Sequence, residues 1–553
     1  MFNLFTRQNL RGDVLGGITA AIVSLPLALT FGVASGLGPE AGLYGALLVG
    51  LFAAVFGGTP TLISEPTGPM TVLMTAVIAS FIASDPENGA AMAFTVVMMA
   101  GVFQILFGAL KLGKYITLMP YSVVSGFMSG IGCILIIMQL APALGQASPS
   151  GGVIGTLTSL PDIISNISLA EFALFGATLA LLFLTPNKIT RIVPAQLIAL
   201  VLITIASLYL IDGSDIRRIG EFSVGLPEIV VPTFTADQWQ TMVLEASVLG
   251  MLGCIDSMLT SVIADNLTRT EHKSNKELMG QGVGNLMSGL FGGLPGAGAT
   301  MGTVVNIQAG ARTAWSGVTR VVVLGIAIFG AASLISVIPL ALLAAIAVKV
   351  GVDILDWSFI KRAHRVSWQS TLIMYSVLTL TVLVDLMVAV GIGLFVANII
   401  IIEKLSQTQS RQIKAISDMD DELPLAPAER ELLNQGKGNI LYFYLSGPMI
   451  FGVSKALSRE RASIAAHKAV IIDLSDVSLI DDTISLSIEN MIVEALESKK
   501  EVCVVYQSEA NKNKLCTMSA GSLPEDMFVR SRQEALIRAN EYLKTTEDET
   551  FSA

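Results

Sequence analysis

The stretch GCIDSMLTSVIADNL, 253–267, places Asp256 and Thr260 four residues apart in an otherwise apolar run. That spacing stacks the carboxylate and the hydroxyl on one face of a helix. A carboxylate inside hydrocarbon is costly and marks a functional position. Two uses are open to it: with nearby carbonyls and hydroxyls it offers the hard oxygen ligands that suit Na+, or it carries a proton. Two further stretches carry matching chemistry, ISEPTGPMTVL at 63–73 and GAGATMGTVV at 296–305. Thr67 and Thr300 stand where each breaks into an apolar run, with hydroxyl and N–H groups able to contact an oxyanion or a nearby cation. Glu65, just before the first run, is read as facing the cytoplasmic approach, in an orienting or solvating role.

Such contacts must be positioned by interrupted helices. Pro66 and Pro69, and the glycines at 292, 293, 296 and 298, resist continuous helix. Irregular backbone at membrane depth survives only where it is buried or lines a cavity. The breaks therefore predict two short helices starting near the midplane, each with free N–H groups and a partial positive charge at its first turn. Two such ends facing each other form an anion pocket without lysine or arginine. The bland alternatives are a proline kink, close glycine packing and a structural hydrogen-bonding role for Asp256. Recurrence of the break in both halves favours the pocket. No GK[ST] follows GGLPGAGAT, which speaks against a phosphate loop.

The chain of 553 residues is 52% apolar and 14% charged, with 50 glycines, and its mean hydropathy is +0.68. These values define a polytopic α-helical membrane protein. The first seventeen residues lack the pattern of a cleaved signal, so the first apolar run is expected to stay as a span. Fourteen transmembrane segments are read, at 14–35, 40–57, 67–84, 92–110, 118–140, 168–185, 191–211, 242–264, 278–292, 299–309, 318–336, 338–352, 369–386 and 388–403. Lys111, Lys114, Lys188, Arg191, Arg269, Lys273, Lys276, Arg312, the KRAHR of 361–365 and Lys404 then fall on the side of the N-terminus. Short loops rich in Lys and Arg face the cytoplasm, so both termini are expected there. The opposite loops hold Arg217 and Arg218 among several acids.

GLFAAVFGGTP at 50–60 and NLMSGLFGGLP at 285–295 precede the two breaks with seven spans between them. An odd number of crossings inverts the second copy, which predicts a 7+7 inverted repeat. Composition changes after Lys404: 404–437 reads as a polar linker with a short helix, and 438–546 alternates strand-like and helical runs. The latter is a small cytoplasmic α/β domain, followed by a tail at 547–553. Four cysteines without a CxxC and three scattered histidines supply no disulfide or metal framework. The net charge of −10 speaks against nucleic acid. No nucleophile and base constellation supports an enzyme.

GGITAAIVSLPLALTFGVASGLGPEAGLYGA, EPTGPMTVL, GAGATMGTVVNIQAGARTAWSGV and the later VIIDLSDVSLIDDT together resemble the sulfate permease (SLC26) family of anion transporters with a STAS domain. Within it, GGTPTLISEPTGPMTV, MLGCIDSMLTSV and TRTEHKSNKELMGQG are most similar to the cyanobacterial-type sodium-dependent bicarbonate transporters. The resemblance implies a transport domain over 1–403, with a core (spans 1–4 and 8–11) moving against a gate (5–7 and 12–14) as an elevator, usually in an inner-membrane homodimer. It puts Na+ at Asp256, Thr260, Gly298, Ala299 and Thr300, and bicarbonate at Thr67, Ala299 and Thr300. Many proton-coupled relatives carry glutamate where this chain has Asp256, and the shorter side chain leaves room for an ion. No cofactor is expected besides Na+ as coupling ion. Soluble STAS relatives carry a phosphorylatable serine in D-S-[ST]-G, where this chain reads Asp481, Asp482, Thr483, Ile484. A dimerisation or regulatory role for the domain is expected instead, with Thr483 still modifiable. The rival readings are a carrier of sulfate or a dicarboxylate, possibly proton-coupled, and a membrane-anchored sensor signalling through its STAS domain.

Overall fold

Lipid offers backbone groups no partner, so apolar stretches close their hydrogen bonds within helices. The structure, a computed structural model, describes residues 3, 9–116, 120–149, 151–190, 193–210, 216–220, 225, 227–235, 237–330, 332–384, 386–410, 413–417, 424–450, 454, 457, 461–518 and 523–551. Arg7, Arg191, Asp212, Asp215 and Glu221 lie outside them. The principal helices before the C-terminal sheet are α1 Leu10–Ser35, α2 Pro39–Phe56, α3 Gly68–Ser84, α4 Gly89–Ala109, α5 Tyr121–Met138, α6 Leu169–Leu184 and α7 Ala195–Leu210. They continue with α8 Trp239–Thr268, α9 Ser274–Leu290, α10 Thr300–Gln308, α11 Trp315–Gly330, α12 Leu340–Ile354, α13 Trp368–Leu383 and α14 Leu386–Ser410. Each of the apolar stretches read from the sequence holds one of these helices. Among the described residues, six qualify as membrane spans by length and composition: α1, α2, α4, α5, α8 and the Val388–Gln407 part of α14.

Small residues let the helices approach closely. A Cβ on Gly101 of α4 would lie 2.5 Å from the Gly282 carbonyl of α9, and a Cβ on Gly282 would lie 2.5 Å from the Gly101 carbonyl. Gly132 of α5 and Gly351 of α12 make a second contact of this kind. Packing joins α4 to α9 and α8, α2 to α9, and α1 to α11, while α5 packs on α13 and α12, and α6 on α12 and α7. The two arginines of the acid-rich connection before α8 make structural contacts. Arg217 forms a forked pair with buried Glu171 (Nη2 to Oε2 2.8 Å, Nε to Oε1 2.9 Å), and Arg218 donates to Ser207 Oγ at 3.0 Å.

The irregular segments before α3 and α10 contain two-residue strands, β1 Ser64–Glu65 and β2 Ala297–Gly298. They pair antiparallel, Ser64 opposite Gly298 and Glu65 opposite Ala297. The two helices therefore leave this ribbon in opposite directions, each starting from it. Between α12 and α13, the KRAHR segment read as a loop is instead an amphipathic helix, Trp357–Val366.

The chain forms two compact units, 1–395 and 396–553, the second beginning within α14 and carrying the C-terminal sheet. Its sheet has the order β3 (Ile413–Ile416), β4 (Ile440–Met449), β5 (Ala469–Ile480), β6 (Glu501–Val505), β7 (Phe528–Val529), with β3 antiparallel to β4 and the remaining pairs parallel. Alternate residues bury opposite faces. Leu441, Phe443 and Leu445 pack with Ile484 and Ile488 of α16 (Asp482–Glu497). Ile440 and Tyr442 pack with Leu433 of α15 (Pro427–Gln435) and with Leu536 and Ala539 of a helix over Arg532–Phe551. The short helix expected in 404–437 is α15. The linker reading of that stretch requires correction in one respect: β3 lies inside it and extends the sheet. A strand of four residues in a polar context shows no readable alternation.

Candidate functional site

The ribbon brings most of the predicted residues together. Thr67, at the N-cap of α3, donates from Oγ1 to Asp256 Oδ2 at 2.8 Å. One turn along α8, Thr260 Oγ1 donates to the Gly298 carbonyl at 2.7 Å and lies 2.9 Å from Thr300 Oγ1. Ala299 is the N-cap of α10, and its carbonyl accepts from Thr303 N at 2.9 Å. Asp256 and Thr260 are buried, whereas Thr300 is exposed to a cavity of about 830 Å³. Neither N-cap makes a side-chain cap hydrogen bond. The first-turn N–H groups of both helices thus have no carbonyl one turn earlier to bond, and each end favours negative charge.

Asp256, Leu259 and Thr300 line one side of the cavity, and Val124 and Met128 of α5 with Ile354 of α12 line another. Its charged lining residues are Asp256, Asp353 and Asp356, with no lysine or arginine among the described residues. Lys349 offsets Asp353 at 2.5 Å. Attraction for an anion here comes from helix ends, while a carboxylate beside them invites a cation.

A buried polar frame holds the ribbon. Glu65 does not face the cytoplasmic approach as read from the sequence; it is 1% exposed and pairs with Arg320 of α11 at 2.5 Å. Arg320, also 1% exposed, further donates to Ser24 Oγ at 3.0 Å and to the carbonyls of Ala46 at 2.7 Å and Ser64 at 3.2 Å. On the other strand, Asn285 brackets Gly296, accepting from its N–H at 2.7 Å and donating to its carbonyl at 2.9 Å. Gln281 donates to Ser64 Oγ at 2.6 Å and to Glu277 Oε1 at 2.8 Å, and Glu277 Oε2 accepts from Gly58 N and Thr59 N, both at 2.7 Å. Asn306 of α10 donates to the Thr61 carbonyl at 2.9 Å. Asp265 accepts from His272 Nδ1 at 2.6 Å.

Sequence reasoning passed over Arg320 and the α9 residues. The signal was present: Glu277, Gln281 and Asn285 recur every fourth position, which makes one polar stripe on a helix.

Opposed half-helix ends around a buried carboxylate, inside an apolar helical bundle, define a membrane carrier. The model of the Sulfate permease family matches residues 10–377, and that of the STAS domain matches 431–530. The chain belongs to the sulfate permease family and is a transporter with a C-terminal STAS domain. It is 59% identical over 537 residues to "Bicarbonate transporter BicA" of Picosynechococcus sp., covering 96% of this chain and 95% of that protein. It is 60% identical over 530 residues to the protein of the same name in Synechocystis sp., covering 96% and 94%. The solved transmembrane domain of a cyanobacterium bicarbonate transporter BicA superposes with a TM-score of 0.67 at 64% identity, covering 70% of this chain and all of that one.

Proposed function

We propose that this chain takes up bicarbonate together with Na+ across the inner membrane, with both termini cytoplasmic. The observation that carries the reading is that α8 reaches both half-helix starts, Asp256 through Thr67 on one side and Thr260, one turn on, through Gly298 and Thr300 on the other. Relatives of about 60% identity that bear the name of bicarbonate transporter support the substrate. Oxygens of Asp256, Thr260, Gly298, Ala299 and Thr300 are hard donors suited to Na+. Thr67, Ala299 and Thr300 then present the hydroxyls and first-turn N–H groups that hold the anion.

The arrangement makes binding interdependent. Without a cation, the Asp256 charge repels an anion at the adjacent helix ends, and the Thr67 hydroxyl is engaged by the carboxylate. Na+ beside Asp256 cancels that repulsion, so the anion binds after or with the ion. The core, spans 1–4 and 8–11, then carries the loaded site past the gate, spans 5–7 and 12–14, in each protomer of a homodimer.

The test is uptake of labelled bicarbonate and, separately, sulfate into proteoliposomes, with and without an inward Na+ gradient, for wild type and Asp256→Ala. Sodium-dependent bicarbonate uptake that disappears in the variant is the expected outcome. Sulfate uptake indifferent to Na+ would replace this reading with that of a sulfate carrier, and uptake driven by a proton gradient alone would replace the coupling ion.

A further inference from the structure

We propose that the helix over Trp357–Val366 binds the headgroups of anionic lipids at the bilayer surface and thereby anchors one wall of the transport cavity. At about 100° per residue, Lys361, Arg365 and Arg362 fall within one arc of about 100°, and Phe359 and Ile360 lie outside it on the other side. Lys361, Arg362, His364 and Arg365 are all exposed, and none has an acidic partner within ion-pair distance among the described residues. Four basic side chains in five residues on a short amphipathic helix are the signature of an interfacial segment. Aromatic anchors bracket it: Trp357 is 48% exposed and Trp368, just beyond its end, is 72% exposed. Tryptophan prefers that headgroup level. Charge complementarity thus selects an anionic lipid surface as the occupant.

The link to the cavity is direct. Asp356 is the N-cap of this helix, accepting from Phe359 N at 3.0 Å through Oδ1. Its Oδ2 accepts from Tyr121 Oη at 2.7 Å and Ser125 Oγ at 2.8 Å, and its N–H donates to Ser129 Oγ at 3.2 Å. Phe359 meets the Tyr121 ring edge-on, centroids 5.3 Å apart. Tyr121, Ser125 and Asp356 all line the cavity that Asp256 and Thr300 face. A helix held on the membrane surface by its basic arc therefore holds α5 as well. One wall of the cavity stays fixed while the opposite side, bearing the site, moves. The lipid contact stands whatever solute is carried; its effect on turnover rests on the transport reading above.

The experiment titrates the purified full chain, in a neutral detergent, with phosphatidylglycerol or phosphatidylcholine and counts bound lipid by native mass spectrometry. Wild type should retain phosphatidylglycerol in preference to phosphatidylcholine. The triple variant K361Q/R362Q/R365Q should bind it more weakly by about fivefold for each charge removed. The charge-preserving variant K361R/R362K/R365K should bind as wild type, and excess glycerol phosphate should not compete. Undiminished binding by the glutamine variant, loss of binding in the charge-preserving variant, or full competition by glycerol phosphate would each overturn the proposal. In phosphatidylcholine vesicles with and without phosphatidylglycerol, turnover should rise with the anionic lipid for wild type and not for the glutamine variant, at unchanged KM for Na+ and bicarbonate. Preserved lipid selectivity with no bicarbonate uptake in any vesicle would sink the transport reading alone.

Discussion

At the scale of residues, Thr67 is the most informative probe of the coupling. Its hydroxyl is a 2.8 Å donor to the Asp256 carboxylate, and a hydrogen bond to a charged group contributes about 1.5–3 kcal/mol. Thr67→Val is expected to lower bicarbonate uptake about tenfold or more at subsaturating substrate, by the same principle. Na+ and bicarbonate concentration series should show both apparent affinities shifting if the proposed sites share this hydroxyl; an effect confined to the maximal rate would contradict that proposal. Arg320 makes a different prediction. Removing one partner of a buried pair costs about 3–5 kcal/mol, whereas replacing both by apolar residues is often neutral. Arg320→Met alone should therefore lower the melting temperature in detergent sharply, and Glu65→Leu with Arg320→Met should recover much of it. Asp256, Thr260, Thr67 and Thr300 were legible in the sequence because an oxygen amid hydrocarbon stands out at once. The Glu65–Arg320 pair was not, since its members lie 255 positions apart and sequence alone gives no pairing.

The decisive elements are the smallest, the two strands before α3 and α10. Their breaks were legible from proline and glycine, but two residues carry no period, so the pairing of the strands was not. At Gly296 a Cβ would sit 2.7 Å from the backbone carbonyl of Glu65. Gly296→Ala should push the half-helix starts apart and abolish uptake while the chain still inserts and folds; uptake per inserted protein, normalised by surface labelling, checks this. In the STAS unit the corresponding device joins the helix over Arg532–Phe551 to the sheet. Arg532 reaches buried Asp473 at 2.8 Å and Asp476 at 2.5 Å, with Tyr442 on Asp473 and Tyr444 on Asp476, each at 2.8 Å. Burial raises the Asp476 carboxyl, but hydrogen bonds from Tyr444 and Arg532 and the Arg532 charge outweigh it and hold the group below its usual range. A depressed carboxylate stabilises the fold above its unfolded pKa of about 3.9, and that contribution is lost as pH falls through the lower folded value. Hydrogen exchange in the Arg532–Phe551 helix should therefore accelerate as pH drops through the acid range, once intrinsic exchange rates are divided out. Asp476→Asn should flatten the response.

At the scale of the whole molecule, the division into an apolar bundle and a polar α/β unit was legible from composition alone, because lipid and water demand opposite surfaces. The position of β3 was not, since a four-residue edge strand looks like linker. The charge carried per cycle follows from the site rather than from the fold. The cavity has no lysine or arginine among its described lining residues, and Asp256 faces it. A bicarbonate entering alone would add one negative charge to an already acidic chamber and would climb an inside-negative potential at about 2.3 kcal/mol per 100 mV. On the proposed coupling, one Na+ per bicarbonate would remove both penalties and leave the cycle electroneutral, with the sodium concentration gradient as its drive. Proteoliposomes clamped with potassium and valinomycin should then take up bicarbonate at a rate indifferent to potential at fixed Na+ gradient. A rate that rises several-fold as the interior is made negative would mean that more than one cation accompanies each anion. Saturation of uptake with external Na+ should correspondingly follow a simple hyperbola, and a sigmoid curve would place a second cation in the same chamber.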